Sequence, residues 1–153
     1  MRVWRLGNQR GTSTLEFIVV LPTLLIIFLA GLELSRAWLA VNIATNAARE
    51  GARVGVVTPA LGTPTSPIFD NSAALTRIND ILTAANLSPA FPPDVTCTPP
   101  AVLPPGLSGC IPDSQVTASI TLHFVTVVPL FLPVLGTPSD PLVITETTIM
   151  RRE

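Results

Sequence analysis

Arg10-Gly11-Thr12-Ser13-Thr14-Leu15-Glu16-Phe17 runs directly into an apolar stretch, residues 18–32, and this order of residues decides the fold. Residues 17–32 are sixteen positions without a charge, or about 24 Å of helix at the standard rise. Leu15 and Leu34 bring the helix near the length that crosses a hydrocarbon core of roughly 30 Å. Glu16 stands at the mouth of that span, where a carboxylate is costly because ionised groups are poorly solvated in hydrocarbon. An ordinary signal sequence or anchor has no use for one there. Arg2, Arg5 and Arg10 precede the span, so the positive-inside rule puts residues 1–10 in the cytoplasm and everything after about Arg36 outside. Trp38 falls where an interfacial aromatic is expected, and Glu33 pairs with Arg36 at the outer end. Pro22 removes one backbone hydrogen bond and should bend or loosen the helix locally, which membranes tolerate when neighbouring groups compensate.

The helical pattern continues past the membrane. No proline occurs from Glu33 to Val57, and Ala37, Ala40, Ala44, Ala48, Gly51 and Gly55 recur at steps of three and four. They form one stripe of small residues on which another element can pack at close range. Two partners fit that stripe: the chain's own C-terminal sheet, or the helix of a second subunit. Asn42, Thr45, Arg49 and Arg53 mark a different face, and Glu50 and Arg53 are spaced for a pair worth about 0.3 kcal/mol. A single helix from about Leu15 to Val57 follows.

The wider string Gly11-x-x-x-x-Glu16-Phe17-Ile18-Val19-Val20-Leu21-Pro22 resembles the TadE-like family of pilus-assembly pseudopilins. Asn46-Ala47-Ala48-Arg49-Glu50-Gly51-Ala52-Arg53 is similar to the Ala-Arg-rich segment that follows the span in those proteins, and Ile149-Met150-Arg151-Arg152-Glu153 resembles their Met-Arg-x-Glu ending. Residues 58–112 add nothing specific to the likeness. The resemblance implies that a membrane-embedded prepilin peptidase cuts between Gly11 and Thr12, making Glu16 the fifth residue of the mature chain. It further implies that Glu16 meets the new amine of Thr12 on a neighbouring subunit, with Glu16 and Phe17 setting the assembly register. The bland alternative leaves Glu16 at the cytoplasmic headgroups without a role.

Every one of the nine basic residues is arginine, and ten acidic residues oppose them. Removal of residues 1–11 would leave six against ten, a net charge of −4, which offers nothing basic enough for nucleic acid. Cys97 and Cys110 bracket a Pro/Gly-rich loop. Outside the cytoplasm a disulfide is expected, stabilising by roughly 3 kcal/mol on the chain-entropy estimate; two reduced thiols are the alternative, and two cysteines are too few for zinc.

The exported part reads as follows. Residues 58–67 form a Pro/Gly/Thr linker. Asp70-Asn71-Ser72 offers N-caps, and Ala74, Leu75, Ile78, Ile81, Leu82 and Ala85 follow at helical spacing until Pro89 ends a helix of about four turns. Residues 91–112 are proline-rich and read as a surface loop, with 94–98 the one weak strand candidate. Residues 115–124 alternate, placing Val116, Ala118, Ile120, Leu122 and Phe124 on one face, and 142–150 are β-branched and extended, completing an antiparallel pair. Between them residues 125–135 are apolar and interrupted by two prolines. They are either a buried connection or an exposed tip for membrane or partner.

No catalytic set, phosphate loop or metal spacing emerges, and the single histidine, His123, falls on the polar face of its strand. The expected fold is α+β: a pilin-like long N-terminal helix, transmembrane then exported, packed against a small antiparallel β-sheet with one short helix. Residues 1–11 are a cytoplasmic leader, 12–57 the helix and 58–153 an extracytoplasmic domain. The expected function is that of a minor pilin or pseudopilin in a tight-adherence-type, type IV-like pilus or related secretion filament. It is no enzyme, and its helix packs through Ala40, Ala44, Ala48, Gly51 and Gly55. Its partners are prepilin peptidase, other pilins or pseudopilins, the assembly platform and the membrane; no cofactor, metal, nucleic acid or small-molecule substrate is expected. It resides in the inner (cytoplasmic) membrane as a single-pass protein, or in a surface pilus. The rival reading is a signal-anchored extracytoplasmic binding module that does not polymerise. A secreted enzyme cleaved near Ala37-Trp38-Leu39-Ala40 is a third, against which Glu16 and the continuing helix argue.

Overall fold

A computed structural model describes residues 10–63, 65–126 and 141–152, with the side chains of 10–13 left out. Residues 1–9 of the expected leader, most of the apolar 125–135 segment and Glu153 of the C-terminal motif lie outside the described residues.

The first element is a single helix, α1 (Arg10–Val57), which runs unbroken through Pro22. Threonine and serine hydroxyls bond back to the preceding turn along it, Thr23 to the Val19 carbonyl at 3.3 Å and Ser35 to Gly31 at 2.8 Å, a common way of hiding hydroxyls in apolar helices. A small hairpin follows, β1 (Leu61–Thr63) and β2 (Ser66–Ile68), paired antiparallel. Next come α2 (Ser72–Ala84), β3 (Asp94–Thr98), β4 (Gln115–Phe124) and β5 (Leu142–Arg151). The last three form one antiparallel sheet in the order β3-β4-β5.

β4 is the centre of the domain. Its inward residues Val116, Ala118, Ile120, Leu122 and Phe124 are all buried, as their alternation requires. They meet the C-terminal half of α1, where Ala44, Ala47, Ala48 and Ala52 are fully buried, and α2, where Ala74, Ile78 and Leu82 are. The architecture is therefore α+β, with α1 and α2 on one face of the sheet. Small alanines on α1 are what let the sheet approach the helix backbone closely, with the larger Ile78, Leu82 and Ile120 filling the remaining space.

Four local expectations are corrected. Residues 58–67 are more than a linker: they include β1 and most of the β1–β2 hairpin, in which Pro67 sits on an exposed strand where its missing N–H is harmless. Residues 94–98 are a strand despite the prolines around them, because Val95 alternates inward and is buried while Cys97 pairs with Val116. α2 ends before Pro89. Asn86 adopts a left-handed φ of 54°, and the Leu87 N–H reaches the Leu82 carbonyl at 2.9 Å while that of Asn86 reaches Thr83 at 3.0 Å, a Schellman closure. Finally, Glu50 does not pair with Arg53; its carboxylate reaches Arg77 of α2 at 3.5 Å, joining the two helices.

The start of α2 divides its capping among neighbours. Asp70 accepts a bond from the Ser72 N–H at 3.0 Å, which holds its carboxyl below the usual carboxylate range. Asn71 turns away and donates to the Val95 carbonyl at 3.1 Å, fastening α2 to β3.

Candidate functional site

α1 has two halves with opposite surroundings. From Thr14 to Leu32 its side chains are exposed or at most half-covered, and its most apolar window has no buried residue. By length and composition this half is able to cross a membrane. From Glu33 onward the C-terminal domain grips one side of the helix. Ala37, Ala40, Ala44, Ala48, Gly51 and Gly55 are all buried there, so the small-residue stripe faces the chain's own sheet and α2 rather than standing open to a second subunit. Ala47 and Ala52 belong to the same surface and were missed by the spacing argument; nothing but their position beside Ala48 and Gly51 signals it. A Cβ at Gly55 would lie 2.9 Å from Val116 Cγ1, 3.3 Å from Phe69 Cζ and 3.5 Å from Val95 Cγ1. Gly51 is closed off in the same way by the Ile78 side chain.

Two carboxylates bracket the apolar half, seventeen residues apart, or about 26 Å along the axis. Their environments differ completely. Glu33, at the C-terminal end, is 3% exposed, and Arg36 donates to its Oε2 at 2.9 Å. The Arg36 guanidinium in turn lies over the Phe124 ring, 5.6 Å from its centre, a cation–π contact between α1 and the end of β4. Ala37, Ala40 and Phe124 form a small apolar cluster beside it. The domain is thus clamped to α1 at the point where the apolar run ends. Glu16, at the N-terminal end, is exposed beside an exposed Phe17, and among the described residues it has no ion-pair partner. Gly11 and Thr12 lie in the first turn of α1, with their side chains outside the described residues.

At the far end of the domain Cys97 and Cys110 form a disulfide with Cα atoms 5.9 Å apart. The loop it closes is docked as well as bridged. The Ser108 N–H donates to the Thr65 carbonyl at 3.0 Å and that of Cys110 to Pro67 at 3.3 Å, laying the loop along β2. Arg152 completes the knot: it donates to the Thr58 carbonyl at 2.9 Å, just past the C-terminus of α1, and contacts Cys110 Sγ at 3.5 Å. A cation at a helix C-terminus also meets the negative end of the helix dipole.

Reactive chemistry is sparse. Among the described residues no group of His, Cys, Asp and Glu could hold a metal ion. An open cleft of about 480 Å³ lies between α1, the end of α2 and the end of β4, lined by Arg36, Ile43, Leu87, His123 and Phe124 among others. His123 packs edge-on against Phe91, ring centres 6.1 Å apart. Neither composition nor spacing revealed this cleft, since its walls come from three distant parts of the chain.

The comparisons agree with the helix. The family model described as TadE-like protein matches residues 11–53, the segment that includes the Gly11 to Glu16 motif and nearly all of α1. No curated protein matches the chain, and no solved structure does. The N-terminal segment is TadE-like, which supports a pilin-like role associated with tight-adherence pili and with the membrane.

Proposed function

We propose that this chain is a minor pilin or pseudopilin of a tight-adherence-type pilus or a related secretion filament. Prepilin peptidase removes residues 1–11 by cutting between Gly11 and Thr12, and the mature chain sits in the cytoplasmic membrane as a single span with residues 58–153 outside. Its role is structural rather than catalytic. It passes from the membrane into an assembly with other pilins or pseudopilins, guided by the assembly platform.

The observation that carries this reading is the contrast between the two carboxylates. The chain neutralises Glu33 with Arg36 at 2.9 Å yet supplies no ion-pair partner among its described residues for Glu16. At the centre of a membrane-spanning helix an ionised carboxylate costs about 2.5–3.5 kcal/mol on insertion scales, and less toward the end of the span where Glu16 stands. A positive group from outside the chain offsets that cost, and the amine created at Thr12 of a neighbour has the right charge and lies at the right depth. Phe17 and the exposed apolar half of α1 then pack against neighbouring helices.

The test is Glu16→Ala in cells that make the filament. Leader removal should continue while the protein disappears from the sheared surface fraction. If export, filament yield and partner binding all match wild type, the chain is a signal-anchored binding module instead.

A further inference from the structure

The open cleft between α1, the end of α2 and the end of β4 encloses about 480 Å³, a volume that suits a small polar ligand. Its α1 wall is Arg36, Leu39, Ala40 and Ile43. The centre of the uncharged run 17–32 falls between Leu24 and Leu25, so Arg36 stands about 17 Å beyond it along the axis and Ile43 about 28 Å. Half of a hydrocarbon core is about 15 Å, and the headgroup zone adds roughly 6 Å more. With the run in a bilayer, as proposed above, Arg36 lies at headgroup depth and the cleft extends from there toward water.

The two polar walls of the cleft differ in sign. Arg36 is held in place by Glu33 and by the Phe124 ring, yet its side chain is still 49% exposed, and a guanidinium has donors beyond the one given to Glu33. No acidic side chain lines the cleft among the described residues. Opposite Arg36 stands the C-terminal turn of α2, residues 85–88. A helix C-terminus carries partial negative charge on its last carbonyls, and no described backbone N–H takes up the carbonyl of Ala85. Because Glu33 already offsets the charge of Arg36, the cleft is no general anion trap. It offers one cationic donor and, across it, a row of acceptors.

We infer that this cleft holds the headgroup of a zwitterionic phospholipid of the membrane that α1 crosses, with the phosphate on Arg36 and the ammonium at the C-terminal turn of α2. The inference rests on the membrane-spanning part of the role proposed above and adds a ligand to it. The order of groups matches the depth: the phosphate sits at the level of Arg36, the acyl chains run down beside the apolar half of α1, and the ammonium reaches outward. A primary ammonium is favoured over a quaternary one, because carbonyls need N–H donors and the Phe124 ring, the aromatic group that would attract a quaternary cation, is already engaged by Arg36. The preferred headgroup is therefore phosphoethanolamine.

The experiment extracts the full chain from vesicles of phosphatidylethanolamine, phosphatidylcholine and phosphatidylglycerol in equal amounts, their acyl chains differing in mass, and reads the retained lipid by native mass spectrometry. Circular dichroism and disulfide content establish that each variant is folded. Wild type should keep one lipid, phosphatidylethanolamine ahead of the other two. Glu33→Gln/Arg36→Gln removes the cation without stranding a buried charge and should lower retention about tenfold, the loss of one hydrogen bond to a charged group. Ser88→Lys, at an exposed position on the acceptor wall, sets a like charge against the ammonium and should move the preference to phosphatidylglycerol. Equal retention of the three lipids by wild type, or unchanged retention and preference in either variant, overturns the inference. Soluble phosphoethanolamine that displaces the lipid when added at the same concentration also overturns it, since the ligand is then no membrane component. A membrane-extracted chain that keeps no lipid overturns the inference alone, whereas a chain recovered from the soluble fraction overturns it together with the proposed span. Headgroup selection in a chain whose residues 1–11 are never removed supports the site and refutes the processing instead.

Discussion

Gly55→Ala isolates the helix–sheet packing at one methyl group. In an open helix the substitution stabilises, because glycine is about 0.8–1.0 kcal/mol worse than alanine. At this position the new Cβ falls 2.9 Å from Val116 Cγ1 and 3.3 Å from Phe69 Cζ. Val116 is fully buried and Val95, at 3.5 Å, nearly so. Both are β-branched with few rotamers to retreat into, so the sheet itself must shift. Overpacking of this kind costs about 1–3 kcal/mol, which outweighs the propensity gain and leaves a net loss of about 1 kcal/mol. For a domain of this size that lowers the melting midpoint by roughly 4–8 °C. Gly31 is the control on the same helix, since a Cβ there meets nothing within 4 Å. Thermal unfolding of the detergent-solubilised full chain, followed by circular dichroism, should show Gly55→Ala melting below wild type and Gly31→Ala melting at or above it. A Gly55→Ala midpoint at or above wild type would refute the close approach of α1 to β4.

Other outcomes follow from single contacts. Cys97→Ser/Cys110→Ser should lose roughly 3 kcal/mol of domain stability, read as a lowered midpoint that reductant reproduces in wild type and leaves unchanged in the variant. Arg152→Met removes the donor to Thr58 and should cost about 1.5–3 kcal/mol, the range for hydrogen bonds to charged groups; its unfolding midpoint in urea checks this. Asp70 bears on acid stability. Its bond from Ser72 lowers the folded carboxyl below its ordinary value of 3.8, so the stabilisation is present above about pH 4 and fades as pH falls through the lowered value. Asp70→Asn should therefore flatten the acid limb of a stability–pH curve, and an unchanged limb would show that the bond contributes nothing.

The sequence revealed those parts of the fold whose signal is local. The uncharged run from Phe17, the strict alternation from Val116 to Phe124, and the three-and-four spacing of Ala37 to Gly55 each report a face of one element, and each face is found where its period places it. What escaped depends on contacts between distant segments. β3 has only one buried aliphatic, Val95, within a proline-rich stretch, and is a strand because β4 offers it a ladder. Glu50 had a plausible neighbour in Arg53, but α2 brings Arg77 to it, a juxtaposition no helical period encodes. Ala47 and Ala52 were invisible because alanine suits an exposed or a buried helical position equally. For the candidate site, the Gly11–Glu16 spacing and the apolar run announced the half of α1 that is able to cross a membrane. The contrast on which the role proposed for Glu16 rests, a buried and neutralised Glu33, needed the Phe124 end of β4 folded back over Arg36.

The central claim concerns the first residues of the mature chain, and it is tested by intact mass and N-terminal sequencing of the membrane-extracted protein from cells with and without prepilin peptidase. The account predicts a chain beginning at Thr12 only when the peptidase is present. A chain that still carries residues 1–11 in both strains would contradict it.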